Sequence, residues 1–131
     1  LYNFGMHIGV AFQLQDDLLD VYGDPEVFGK KIGGDILCNK KTYMLIKALE
    51  HADEKQQEEL NRWLNAEAFQ PSEKIEAVTE IYNQLNIRNI CESKMREYYT
   101  FAMESLAAVA VAEDRKKELK NLVKLLMYRE M

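Results

Sequence analysis

Only two prolines and six glycines interrupt 131 residues, so the chain has few of the breaks that punctuate sheet proteins and loop-rich folds. With Leu, Ala, Glu, Lys and Met abundant in their place, the expectation is an all-α protein. Cysteine is equally scarce: Cys38 and Cys91 lie far apart and in no pattern, which argues against a disulfide framework and for free thiols in a reducing, cytoplasmic compartment. Positive charge is in deficit as well. A formal charge of −5 with no long basic tract disfavours nucleic acid or an anionic membrane surface as partner. No apolar run is long enough for a membrane span, because the stretch from Phe4 to Leu14 is interrupted by His7 and Gln13 and reads as a buried core helix. There is no signal-peptide pattern. GxSxG, P-loop and GxGxxG motifs are all missing, which removes the commonest hydrolase and nucleotide-site signatures. The chain also begins at Leu1, inside a helical pattern with no capping Ser, Thr or Asp before it, and is therefore expected to be part of a longer protein.

What is there reads as one domain of about six helices. The first is placed from Tyr2 to Tyr22 and ends at the turn signal Gly23-Asp24-Pro25. From Gly23 to Lys41 the chain is glycine-rich, basic and poorly periodic, and reads as a loop. Thr42 starts a helix to His51, and Asp53 with Gln56 forms a capping box that opens the next, through Leu60, Trp63 and Leu64. Beyond a break at Phe69-Gln70-Pro71, the positions Ile75, Val78, Ile81, Tyr82 and Leu85 recur at helical spacing, and Asn86 ends that helix. A long helix then runs from Arg88 to Val111, with Cys91, Met95, Tyr98, Ala102, Leu106 and Val109 inward. The last carries Leu119, Leu122, Val123, Leu126 and Met127 as its stripe, with acids at its start and Arg129 near its end.

The chemistry is concentrated where the first helix stops. With Asp16 at zero and ~100° per residue, Asp20 falls near ~40° and Asp17 near ~100°, so one face carries three carboxylates. They repel one another, and they sit at the negative end of the helix dipole. Such a cluster calls for a cation, and oxygen-only ligands favour Mg²⁺, which keeps several waters and is held by one or two carboxylates plus substrate phosphates. A solvated helix end is the alternative. Gln13 projects near ~60°, between the acids, while Gly9 and Gly5 lie near ~20° and ~−20° on the same face. Those glycines leave side-chain-free space for an apolar tail, or let a neighbouring helix come close.

Acids holding a metal-bound diphosphate leave oxygens that need donors on the other side, and Lys30 and Lys40 in the glycine-rich loop could supply them. Lysines in loops are otherwise solvated. Asp35 between them is either a lysine partner or a helix cap. Calcium fails on spacing, since an EF-hand needs alternating acids in a loop, and zinc fails because His7 projects away and His51 is remote. His7 reads as a satisfied core histidine.

The string Phe12-Gln13-Leu14-Gln15-Asp16-Asp17-Leu18-Leu19-Asp20-Val21-Tyr22-Gly23-Asp24, followed by Gly29-Lys30, Gly33, Asp35, Lys40 and Thr42, resembles the polyprenyl synthetase family. These are the trans-isoprenyl diphosphate synthases, of the farnesyl and geranylgeranyl diphosphate synthase kind. The match is to their second aspartate-rich motif, FQxxDDxxD with a following GD and GK. It implies that residues 1–131 are the C-terminal portion of an isoprenoid synthase helical bundle. By this resemblance Asp16, Asp17 and Asp20 belong to a Mg²⁺ site holding the allylic diphosphate, with Asp16 the first direct ligand and the other two ligating or acting through water. Gln13 would line the cavity, Phe12 would shape it, and Lys30 and Lys40 would contact the diphosphate as catalytic cations. The implied reaction condenses isopentenyl diphosphate with an allylic diphosphate through ionisation, alkene attack and proton loss. The family's first acid motif, isopentenyl-diphosphate site and length-setting residues have no counterpart in this sequence, so the isolated chain is expected to be inactive. The resemblance also implies a homodimer for the full-length protein. Two other readings compete: a non-catalytic helical subunit keeping the family's packing, and a terpene cyclase, which would not be expected to show this FQ, GD and GK context.

Overall fold

In the computed structural model, residues 2–23, 32–108 and 113–127 are described, residues 126 and 127 by backbone alone. Among them are seven helices and no strand: α1 (Tyr2–Tyr22), α2 (Gly34–Leu37), α3 (Tyr43–His51), α4 (Glu54–Asn65), α5 (Pro71–Gln84), α6 (Ile87–Ala107) and α7 (Glu113–Met127). The all-α expectation holds. No helix among the described residues is long and apolar enough to cross a membrane.

Helix α1 buries Phe4, Ile8, Ala11, Leu14, Leu18 and Val21, a stripe spaced by threes and fours that packs most extensively against α6. On α6 the buried positions are Ile87, Cys91, Met95, Ala102 and Leu106, the last four as their spacing predicts, while Tyr98 is half-buried and Val109 lies outside the described residues. Capping fixes the shorter helices. Thr42 Oγ1 accepts from the Leu45 amide at 3.1 Å. The Asp53–Gln56 capping box forms as read, with Asp53 Oδ1 accepting from the Gln56 amide at 2.8 Å and Gln56 Oε1 from the Asp53 amide at 3.0 Å. Pro71 opens α5 at its first turn, where a missing N–H costs nothing. Between α5 and α6, Asn86 turns the chain with a φ of 58°.

Two expectations need correction. Leu122 is 51% exposed, because it stands ~100° around α7 from the buried Val123; the side chains of Leu126 and Met127, and Arg129, lie outside the described residues. The supposed loop between α1 and α3 contains the one-turn helix α2. Gly33 enters it with a φ of +93°, and its Cα lies so close to α5 that a Cβ there would sit 2.6 Å from Ile75 Cδ1. Short length and lack of periodicity hide this turn from a pattern reading.

Gly33→Ala is therefore expected to cost about 1–3 kcal/mol, through both backbone strain and the clash with a β-branched neighbour. Gly34→Ala is the control, since a Cβ there meets only Asp20 Oδ1 at 3.6 Å. Urea unfolding of the two variants measures the difference, and equal midpoints would contradict the assignment.

Candidate functional site

The last two turns of α1 bring the acids to the surface of the bundle in unequal ways. Asp16 and Gln13 are exposed, whereas Asp17 and Asp20 are buried at 5% and 7% exposure. A buried carboxylate must be hydrogen-bonded or paired, and each of these is. Asp17 Oδ1 accepts from Gln13 Nε2 at 3.0 Å and from Lys40 Nζ at 3.4 Å. Asp20 Oδ2 accepts from the Asp35 amide at 2.9 Å, in the first turn of α2, while the Asp20 carbonyl accepts from the Gly33 amide at 2.6 Å. Both ends of Asp20 therefore grip the returning chain.

That grip carries Lys40 to the acids. Its ammonium lies between Asp17 and Asp35, 3.9 Å from Asp35 Oδ2, with its side chain 46% exposed. The charge of Asp17 first, and of Asp35 second, raises the Lys40 pKa above the ordinary lysine value. So Asp35 is a lysine partner, and its backbone rather than its side chain receives the grip of Asp20. Beneath the site, burial together with the Asp17 charge pushes the Cys91 thiol up to about 12, so Cys91 is an inert core residue.

Gln13, Asp16, Asp17, Asp20 and Lys40 thus share one end of α1. Phe12 is half-buried and packs against the core. Lys30 lies outside the described residues. Gly5 and Gly9 are exposed, and a Cβ on either would meet nothing within 4 Å, so among the described residues no helix uses them for close approach. The face they share with Asp16 also exposes Tyr2, Met6 and Val10. His7 differs from expectation: it stacks near Tyr98 and Phe101, with ring centroids 5.9 and 5.5 Å away, but its buried Nδ1 has no hydrogen-bond partner among the described residues.

Among the described residues no three His, Cys, Asp or Glu side chains converge as a metal cage. The donor set nonetheless fits a hard cation of the kind that takes one or two carboxylates and keeps its other positions for water and phosphate, with Asp16 exposed beside Asp17. Two residues escaped the sequence reading. Asn39 and Lys74 meet directly behind Lys40, with Lys74 Nζ donating to Asn39 Oδ1 at 2.6 Å. Lys74 could have been found, since it continues the α5 stripe four residues before Val78.

Residues 1–85 match the family model described as polyprenyl synthetase. A short chain isoprenyl diphosphate synthase of Methanothermobacter thermautotrophicus is 52% identical over 60 residues, which are 46% of this chain and 18% of that protein. A geranylgeranyl pyrophosphate synthase crystal structure superposes with a TM-score of 0.88 at 35% identity, covering 99% of this chain and 41% of that one. The geranylgeranyl pyrophosphate synthase of Corynebacterium glutamicum, solved in complex with isoprenyl diphosphate and magnesium, gives a TM-score of 0.84 at 30% identity over 98% of this chain and 36% of its own. The chain spans well under half the length of each.

If Asp17 is what holds the Lys40 charge, Asp17→Asn lowers the Lys40 pKa toward the ordinary ~10.4. A side-chain NMR titration reads it directly. The sign follows from a raised pKa: the stability that charged Lys40 contributes is complete below the ordinary lysine pKa and is lost as pH rises through the folded value. An unchanged Lys40 pKa in the variant would contradict the pairing.

Proposed function

Because the chain belongs to the polyprenyl synthetase family, we propose that its acid face is the second aspartate-rich half of a trans-isoprenyl diphosphate synthase site, and that the full-length enzyme joins isopentenyl diphosphate to an allylic diphosphate. The observation that carries this reading is the Lys40 ammonium 3.4 Å from Asp17, with Asp16 exposed alongside. Carboxylates for a hard cation and an ammonium for phosphate oxygen stand side by side. That pairing suits a diphosphate.

In this reading Asp16 and Asp17 would hold Mg²⁺, with Asp20 acting through water and through its hold on the loop. A Mg²⁺ held there would supply positive charge against the departing diphosphate. Lys40, together with Lys30, binds the diphosphate oxygens and stabilises the charge that grows on them as the allylic C–O bond breaks. Half-exposed on a flexible stem, Lys40 can turn from Asp17 to the ligand, and the buried Asp17 carboxylate keeps its hydrogen bond from Gln13 when it does. Gln13 orients Asp17 by its hydrogen bond, and in this reading it would line the substrate cavity while Phe12, packed against the core, would shape it. The open glycine face, with Gly5 and Gly9, lies below the acids and leaves room for the apolar tail. The isopentenyl alkene then attacks the allylic cation and a proton is lost. No protein nucleophile takes part.

The free thiols Cys38 and Cys91 accord with a reducing compartment such as the cytoplasm. The full-length protein is a homodimer in this reading. Its 131 residues here contain one acid motif, so they perform no condensation alone.

In the full-length enzyme, Asp16→Ala should lower turnover by at least about 100-fold, as loss of a metal ligand does. Unchanged product formation from isopentenyl and allylic diphosphates would overturn the metal assignment. The isolated chain, given Mg²⁺ and both substrates, should yield no product by radiolabel transfer, and detectable product would overturn the reading of it as half a site.

A further inference from the structure

Lys74 is the least expected side chain in the protein: an ammonium at 1% exposure, with burial lowering its pKa. A charge in such a place is costly unless it is used. Its Nζ donates to Asn39 Oδ1 at 2.6 Å and lies 4.5 Å from the centroid of the Phe69 ring. Asn39 has a φ of 57°, a left-handed conformation that asparagine tolerates better than most residues but does not prefer. Its Nδ2 donates to the Leu64 carbonyl at 3.0 Å. Because an ammonium only donates and a carbonyl only accepts, the two partners fix which way the amide points. Asn39 is thus pinned by α5 on one side and by the end of α4 on the other. The next residue is Lys40, whose own amide donates to the Asp35 carbonyl at 3.0 Å.

We infer that Lys74 is a positioning residue for the diphosphate-binding Lys40, acting through the Lys74–Asn39–Leu64 clamp. The inference rests on the proposed role of Lys40. The clamp holds Asn39 in its left-handed turn, and that turn aims the Lys40 side chain back over α1 toward Asp17 and Asp35 instead of outward into solvent. Lys40, Asn39 and Lys74 line one small cavity together with Asp35 and Thr42, and the link from Lys74 to Lys40 runs through the Asn39 side chain and then its backbone. Lys74 itself, fully buried, touches no substrate.

The test uses the 131-residue chain with lysine-selective NMR of the Nζ groups and calorimetric titration of inorganic diphosphate in Mg²⁺. In Lys74→Met, which keeps the apolar stem, the Lys40 Nζ resonance should move to the position of a solvated lysine, and diphosphate affinity should fall about tenfold. Asn39→Gly, which relaxes the backbone but removes the link, should shift Lys40 in the same way, and the double variant should shift it no further than either single one. If Lys74 only stabilises the fold, both variants melt earlier while the Lys40 resonance stays in place, and the inference is wrong. Should Lys74→Met not fold, Asn39→Gly alone decides by the same resonance. Should the unmodified chain bind no diphosphate, the functional reading of Lys40 is what fails for this chain, and the resonance still decides whether the clamp positions it.

Discussion

Asp20 grips the returning chain with both its side chain and its carbonyl, and the rest of the site follows from that hold. Its carboxylate is buried, so it must be hydrogen-bonded, and the partner it finds is the amide of Asp35, fifteen residues on. Its carbonyl, near the end of α1 where main-chain acceptors go unpaired, takes the amide of Gly33. These two bonds turn a glycine-rich stretch into the one-turn helix α2 and bring Lys40 over the acids. Gly33 is the residue that permits so close a return, through its positive φ and its contact with Ile75.

Three like charges at the negative end of a helix are thereby given three different fates. Asp20 is held by the backbone, Asp17 by Gln13 and Lys40, and Asp16 is exposed. The compensation is graded. The Asp20 contact is short and buried, whereas the Lys40 pair is longer and half-exposed and so contributes little to stability. A weakly held ammonium beside an exposed carboxylate is poor at stabilising a fold but well suited to exchanging one anion for another.

Much of this was legible in the sequence because helical periodicity is local. The three- and four-residue spacing of Phe4, Ile8, Ala11, Leu14 and Leu18 predicts α1, and the same periodicity places Asp16, Asp17, Asp20 and Gln13 on one face. Capping chemistry gave Thr42 and Asp53 in the same way. What periodicity could not separate was burial among the acids, which depends on where α2 returns and hence on contacts fifteen or more residues apart. Asn39 carried no local sign of its two long-range hydrogen bonds, and the partner that makes a buried Lys74 tolerable, Asn39, lies 35 residues away in sequence. The open surroundings of Gly5 and Gly9 were likewise beyond reach, since two glycines four apart suit a packed helix and an empty cavity equally well.

The proposed division of work among the acids, Asp16 with Asp17 for the cation and Asp20 for the loop, is what the site turns on. It is tested most directly by the Mg²⁺ concentration needed for half-maximal turnover in the full-length enzyme carrying Asp16→Asn or Asp20→Asn. Asparagine at position 20 keeps an oxygen for the Asp35 amide, so that variant should stay within about threefold of the unmodified enzyme, while Asp16→Asn should need about 10–100-fold more Mg²⁺. Equal shifts in the two variants would contradict the division and make Asp20 a metal ligand of the same rank.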